Sequence, residues 1–166
     1  DNQKVWLQSY KEDDYKDINY YLRKNKILNK NKFSEKSINI PIKNIKAALN
    51  KSSLKKDIVL YKGMEIKNIE EFTKGLKGRT VQLKGFQSTT TNIDIADLFT
   101  GVNPSKKAIF KINAKKGTKA INMDAFESGI NKNELEVLLD EGNEIKITNI
   151  YKDKELGQTI IEGHLL

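Results

Sequence analysis

The sequence predicts an α+β domain, its helices gathered in the first half of the chain and its strands in the second. Two patterns carry this. Up to Leu49 the apolar residues recur at helical spacing, with Ile18, Tyr21 and Leu22 on one face and Ile42, Ile45 and Leu49 on another. From Lys107 onward, short β-branched runs alternate with turn residues. No internal repeat or domain-splitting linker interrupts residues 1–166, which read as a single domain. With 166 residues, 37% of them apolar and 31% charged, the chain can bury one sizeable core and is not a disordered segment.

Each element follows from its own residues. Residues 5–10 and 15–24 have helical spacing, with Asp13 or Asp14 as the N-cap of the second helix. The lysine- and asparagine-rich stretch 25–40 reads as loop with a short helical turn. Pro41 is expected in the first turn of the helix that carries Ile42, Ile45 and Leu49. A β-rich run follows at 58–63, then a short helix at 69–76 closed by Gly78, and a strand at 80–83. Residues 94–100 read as a helical turn before the turn signal of Gly101 and Pro104. Strands are expected at 107–112, 118–121, 136–139, 143–151 and 158–165. Ile145, Ile147 and Ile150 alternate almost as a half-buried antiparallel strand requires.

Composition excludes several classes of function. Cysteine is absent, which removes disulfides and thiolate metal sites, and the single histidine, His164, cannot form a histidine cluster. No metal is expected, and the lone histidine argues against a Ser-His-Asp triad. The net charge of +8 comes almost wholly from lysine, since arginine occurs only at Arg23 and Arg79. Such a surface is either simply solvated or attractive to an acidic partner. No basic-aromatic ladder accompanies it, so no nucleic-acid partner is expected. No apolar run of about 18 residues and no signal-peptide core occurs. The chain therefore reads as a mature product or an excised domain.

Three short motifs carry chemistry. In Glu134-Leu135-Glu136-Val137-Leu138-Leu139, strand alternation would put Glu134 and Glu136 on one face. On its own this is either a solvated strand end or a pair of working carboxylates. Upstream, Gly85-Phe86-Gln87-Ser88-Thr89-Thr90 supplies a hydroxyl cluster after a strand, and Tyr61-Lys62-Gly63 closes another strand with an aromatic, a cation and a glycine. This order resembles the three-part signature of the Arg-Ser-Glu class of ADP-ribosyltransferase toxins. That class includes the catalytic domains of actin-modifying binary toxins and the Rho-modifying exoenzymes. The resemblance extends from about Tyr10 to Leu166. It takes in Ile18-Asn19-Tyr20-Tyr21-Leu22-Arg23, which is similar to the Ile-Asn-x-Tyr-Leu-Arg helix of iota-like enzymes.

The resemblance implies a fold of two packed antiparallel β-sheets flanked by the N-terminal helices, with NAD between the sheets. It implies transfer of ADP-ribose from NAD through an oxocarbenium-like state, akin to glycoside cleavage. Glu136 matches the catalytic glutamate and Ser88 the serine that orients it, while Thr89 and Thr90 support the cleft wall. Glu134 matches the position where Glu accompanies arginine modification; a carboxylate can orient a guanidinium, which an amide cannot. Lys62, Tyr10, Asn19, Gly85, Phe99 and Thr89 match cofactor-binding positions, and Phe126 matches the exposed aromatic of the acceptor-recognition loop, 124–133. For Tyr10 and Asn19 a helix-packing role is the alternative, and for Phe126 packing beneath its own loop. The implied acceptor is a host protein, actin or another protein bearing the arginine, reached in the host cytosol after secretion, with a separate membrane-translocation subunit as a further partner.

Two positions depart from that pattern. Lys62 replaces the motif arginine, which keeps the charge but loses the bidentate fork. Gly63 replaces the neighbouring arginine that several relatives carry. The other reading is therefore a catalytically degenerate module of the same fold that binds a partner or a pore.

Overall fold

The structure is a computed structural model and describes residues 2–100, 103, 106–126 and 135–166. Helix α1 (Asn2–Ser9) runs on without a break through a π-helical turn at Tyr10–Asp14 into α2 (Tyr15–Lys24). The expected cap at Asp13 or Asp14 is corrected here: Asp14 is itself helical, with φ −71° and ψ −13°, and makes no capping hydrogen bond. Its carboxylate instead accepts from the Ser9 hydroxyl and pairs with Lys32 at 2.7 Å. The residue inserted by the π turn rotates Tyr10 and Asp14 inward, and both are buried. Asn25, at φ 53°, ends α2 in the left-handed conformation that asparagine tolerates.

Helix α3 (Glu35–Asn50) starts earlier than its sequence suggests. Ser34 caps it reciprocally with Ser37, so the last part of the expected loop, residues 35–40, is helical. Pro41 lies inside the helix, not in its first turn. A proline there removes a backbone hydrogen bond at a cost of about 3 kcal/mol. The complete burial of Ile38, Ile45 and Leu49, each contributing roughly 2 kcal/mol, more than offsets it.

Eight strands follow: β1 (Ile58–Glu65), β2 (Thr80–Gln82), β3 (Gln87–Thr90), β4 (Lys107–Ala114), β5 (Ala120–Asn122), β6 (Glu136–Leu139), β7 (Glu144–Lys152) and β8 (Thr159–Leu165). Short helices α4 (Ile69–Thr73) and α5 (Ile93–Leu98) lie between β1 and β2 and between β3 and β4. The strand order is β2-β7-β8-β4-β1-β3-β6-β5. All pairs are antiparallel except β4 with β8, because the chain leaves β4, builds β5, β6 and β7, and returns beside β4 in the same direction. The bulge between Ile147 and Asn149 explains why Ile150 breaks strict alternation yet still packs with Ile145 and Ile147.

A single register pair, Tyr61 with Thr90, joins β1 to β3. At this joint the strand order divides into β2-β7-β8-β4-β1 and β3-β6-β5, which pack on one another. Leu60, Phe110, Ile112, Ile145 and Ile147 from the first meet Ala120, Val137 and Leu139 from the second. A second core seals the outer face of β3-β6-β5 against the helices: Leu7, Tyr10, Ile18, Ile45 and Leu49 pack with Phe86, Ile121, Met123 and Leu138. Helix α5 covers β1, β4 and β8 through Ala96, Ile109 and Ile160.

Candidate active site

Strand pairing builds the site. Thr90 lies opposite Glu136 and Ser88 opposite Leu138, so alternation directs Ser88, Thr90 and Glu136 to one face. That face meets the π turn and α2. Glu136, the first residue of β6, is 7% exposed, and its backbone N–H donates to Asp124 Oδ1 at 3.2 Å. Its carboxylate pairs with the Lys11 ammonium, Nζ to Oε2 at 3.0 Å.

The residue before it changes one sequence argument. Leu135 has φ 50°, so the backbone is not extended there. Alternation cannot be carried from Glu136 back to Glu134, and Glu134 itself lies outside the described residues. A bulky residue in this conformation costs about 1 kcal/mol, and such strain gathers at functional sites.

Behind Glu136 lies a fixed wall. The Asn19 amide donates to the Tyr10 hydroxyl at 2.8 Å, and its oxygen accepts from the Phe86 N–H at 2.8 Å. The Tyr10 ring meets Phe86 edge-on at 5.8 Å. Burial pushes the Tyr10 hydroxyl well above the usual phenol range, against hydrogen bonds from Asn19 and Ser88 and the Arg23 charge, which lower it. Tyr10 and Asn19 were expected either as cofactor contacts or as helix-packing residues. At 1% and 8% exposure, with their polar atoms bound to one another and to Phe86, they form the floor beneath the cleft. Gly85 has φ 84°, and a Cβ there would stand 2.9 Å from Asn19 Oδ1, so the clamp itself requires glycine.

Thr89, expected as a cofactor contact, lies on the other face of β3. Alternation turns it to the opposite face from Ser88, where it is 3% exposed and donates to the Val137 carbonyl at 2.6 Å. It ties β3 to β6 from behind. Ser88 is exposed on the cleft side, and its carbonyl accepts from Lys62 Nζ at 3.4 Å. The carboxylate partner of Glu136 is Lys11, and no Ser88–Glu136 hydrogen bond forms among the described residues. Phe99 follows α5 and is 60% exposed. Phe126 ends a 3₁₀ turn at Met123–Phe126, and its side chain lies outside the described residues.

The cations of the cleft are only partly legible in the sequence. Burial lowers the half-buried Lys62 ammonium to about 8; the Arg23 charge adds to this, and Glu136 opposes it. Arg23, at the C-terminal end of α2, thus acts on both Lys62 and Tyr10. It sits within the helix motif noted in the sequence, but only the fold brings it to the site. Tyr15, 40% exposed, presents its ring edge-on to Tyr10 at 6.3 Å. Gly63 cannot carry a side chain here, because a Cβ would lie 2.1 Å from the Ala96 carbonyl oxygen of α5.

One carboxylate, two neighbouring cations and a rigid aromatic floor thus gather where the Ser88–Glu136 face of β3 and β6 meets the π turn and α2. That combination suits a substrate with a ribose at one end of an anionic group. The family model described as ADP-ribosyltransferase exoenzyme matches residues 1–166. Among solved structures, the ADP-ribosylating toxin BECa of a binary enterotoxin of C. perfringens, determined with NADH, is 28% identical. It superposes at TM-score 0.80 over 99% of this chain and 43% of its own. This chain therefore spans less than half the length of that protein. The ADP-ribosyltransferase Vis in complex with agmatine (23%, 0.78) and the Clostridium limosum C3 exoenzyme (21%, 0.76) share the fold over 99% of this chain and 74% and 85% of theirs. No curated protein is similar enough in sequence to count as a match. The cleft, the strand order and the match across the full sequence agree: the chain belongs to the ADP-ribosyltransferase exoenzyme family.

Proposed function

We propose that this chain is the catalytic domain of an NAD-dependent mono-ADP-ribosyltransferase toxin that modifies an arginine of a host protein. The observation that carries the reading is Glu136, a buried carboxylate at a strand start, facing Ser88's side of the cleft and within the fields of Lys62 and Tyr10. Arg23 and Lys62 repel one another, and neither is in an ion pair among the described residues. A pyrophosphate between them would relieve that repulsion, which fits these residues to NAD. Glu136 then holds the ribose hydroxyl and stabilises positive charge as the ribose–nicotinamide bond breaks, its electron pair leaving with the nicotinamide nitrogen. A guanidinium nitrogen of the acceptor bonds to the same ribose carbon, and Glu134 takes the proton it sheds. Actin is the acceptor named by the motif resemblance. Secretion, action in host cytosol and a separate translocation subunit follow from the same reading, and likeness to a binary-toxin component supports the last.

A second reading has its own support. Lys62 in place of arginine and the closed space at Gly63 both thin the cationic side of an NAD site, as in a degenerate partner- or pore-binding module.

Incubation with labelled NAD and host-cell lysate separates the two. The transferase releases nicotinamide and labels a protein on arginine, read by mass spectrometry. Glu136→Gln should lose both reactions by about 10²- to 10⁴-fold. Glu134→Gln should lose labelling while retaining slow NAD hydrolysis. A folded wild-type protein that releases no nicotinamide would establish the degenerate module.

A further inference from the structure

We propose that Lys11 is a positioning residue for Glu136, holding one carboxylate oxygen so that the other faces the ribose. The proposal rests on the transferase reading above. The Lys11 and Glu136 side chains are 6% and 10% exposed, and their contact at 3.0 Å joins the helical layer to β6. An ammonium and a carboxylate are taken this far out of water only when each compensates the other. The π turn makes the contact. It points Tyr10 down onto Phe86 and leaves Lys11, the next residue, directed across to β6. Insertions of this kind are frequent where a helix must aim side chains for function.

The contact engages Oε2 alone. The other oxygen, Oε1, is left for a ribose hydroxyl, so the ion pair orients the carboxylate without occupying it. Asp124 fixes the Glu136 backbone through its N–H, and Lys11 fixes the side-chain end, so the glutamate is held at both ends after the non-extended Leu135. The Ser88 side chain, expected to orient Glu136, hydrogen-bonds the Tyr10 hydroxyl. Misplacing a reacting group by about 1 Å costs roughly 10²-fold in rate.

The test compares NAD hydrolysis by wild type, Lys11→Met and Lys11→Arg, each checked for folding by circular dichroism and thermal melting. Lys11→Met should lower kcat at least tenfold with KM for NAD changed by less than about threefold. Lys11→Arg should recover most of kcat, because a guanidinium still reaches Oε2. A purely structural role would lower the melting temperature without this division between kcat and KM. If Lys11→Met does not fold, Lys11→Gln, which keeps a donor without the charge, decides in its place. Unchanged or increased kcat in a folded variant overturns the proposal, an increase marking the contact as a brake. Wild-type protein without turnover would overturn both this proposal and the transferase reading; an active wild type with an indifferent Lys11 overturns this one alone.

Discussion

Asn19→Ala separates a structural clamp from a cofactor contact. The native amide satisfies two buried groups sixty-seven and nine residues away in sequence, the Phe86 N–H and the Tyr10 hydroxyl, both at 2.8 Å. Alanine leaves both groups without that partner beneath the cleft. Stranding a buried polar group costs about 1–3 kcal/mol, so two predict a loss of roughly 3 kcal/mol. For a chain of this size that is about 6–12 °C in Tm. Asn19→Asp should lose much less, because its carboxylate still accepts from Phe86 N–H and the Tyr10 hydroxyl can turn to donate to it. Urea unfolding of the three proteins, with unchanged m-values, measures the difference. An alanine variant within about 0.5 kcal/mol of wild type, with KM for NAD sharply raised, would refute the clamp and make Asn19 a direct cofactor contact.

Other expectations follow from the same contacts. Lys62 titrates near 8, so its ammonium is present below that pH and lost above it. Calorimetry should show NAD binding weakening between about pH 7 and pH 9, by up to tenfold per unit, with the dependence removed in Lys62→Arg. Equal pH profiles would mean that Lys62 does not meet the phosphates. Gly63→Ala brings a Cβ to 2.1 Å from the Ala96 carbonyl and 2.9 Å from Thr100 Cγ2, so α5 must move. Overpacking against backbone predicts a loss of about 1–3 kcal/mol in denaturant unfolding; unchanged stability would show that α5 yields freely.

The sequence by itself determined the class of fold and the strands that carry the chemistry. Alternation and β-branched runs placed β4, β7 and β8 closely, because a strand's side-chain period is local information. Glu136 was placed at the start of its strand for the same reason, whereas Ser88 stood out only through the motif resemblance, since β3 was not expected at 87–90. Pro41 was misplaced and the Ser34 cap missed, since a polar helical turn looks like loop until its buried face has a partner. Only tertiary structure decided which groups meet. Lys11 reaches Glu136 across 125 residues, and the π turn that aims it leaves no mark in residue spacing. Asn19 was visible as a motif residue, yet its partners Tyr10 and Phe86 are fixed by how α2 packs on β3. Lys62 and Gly63 were visible as departures, but the field of Arg23 and the wall of α5 give those departures their consequences. Electrostatic and steric effects fall off over a few ångströms, and distance along the chain says little about distance in space.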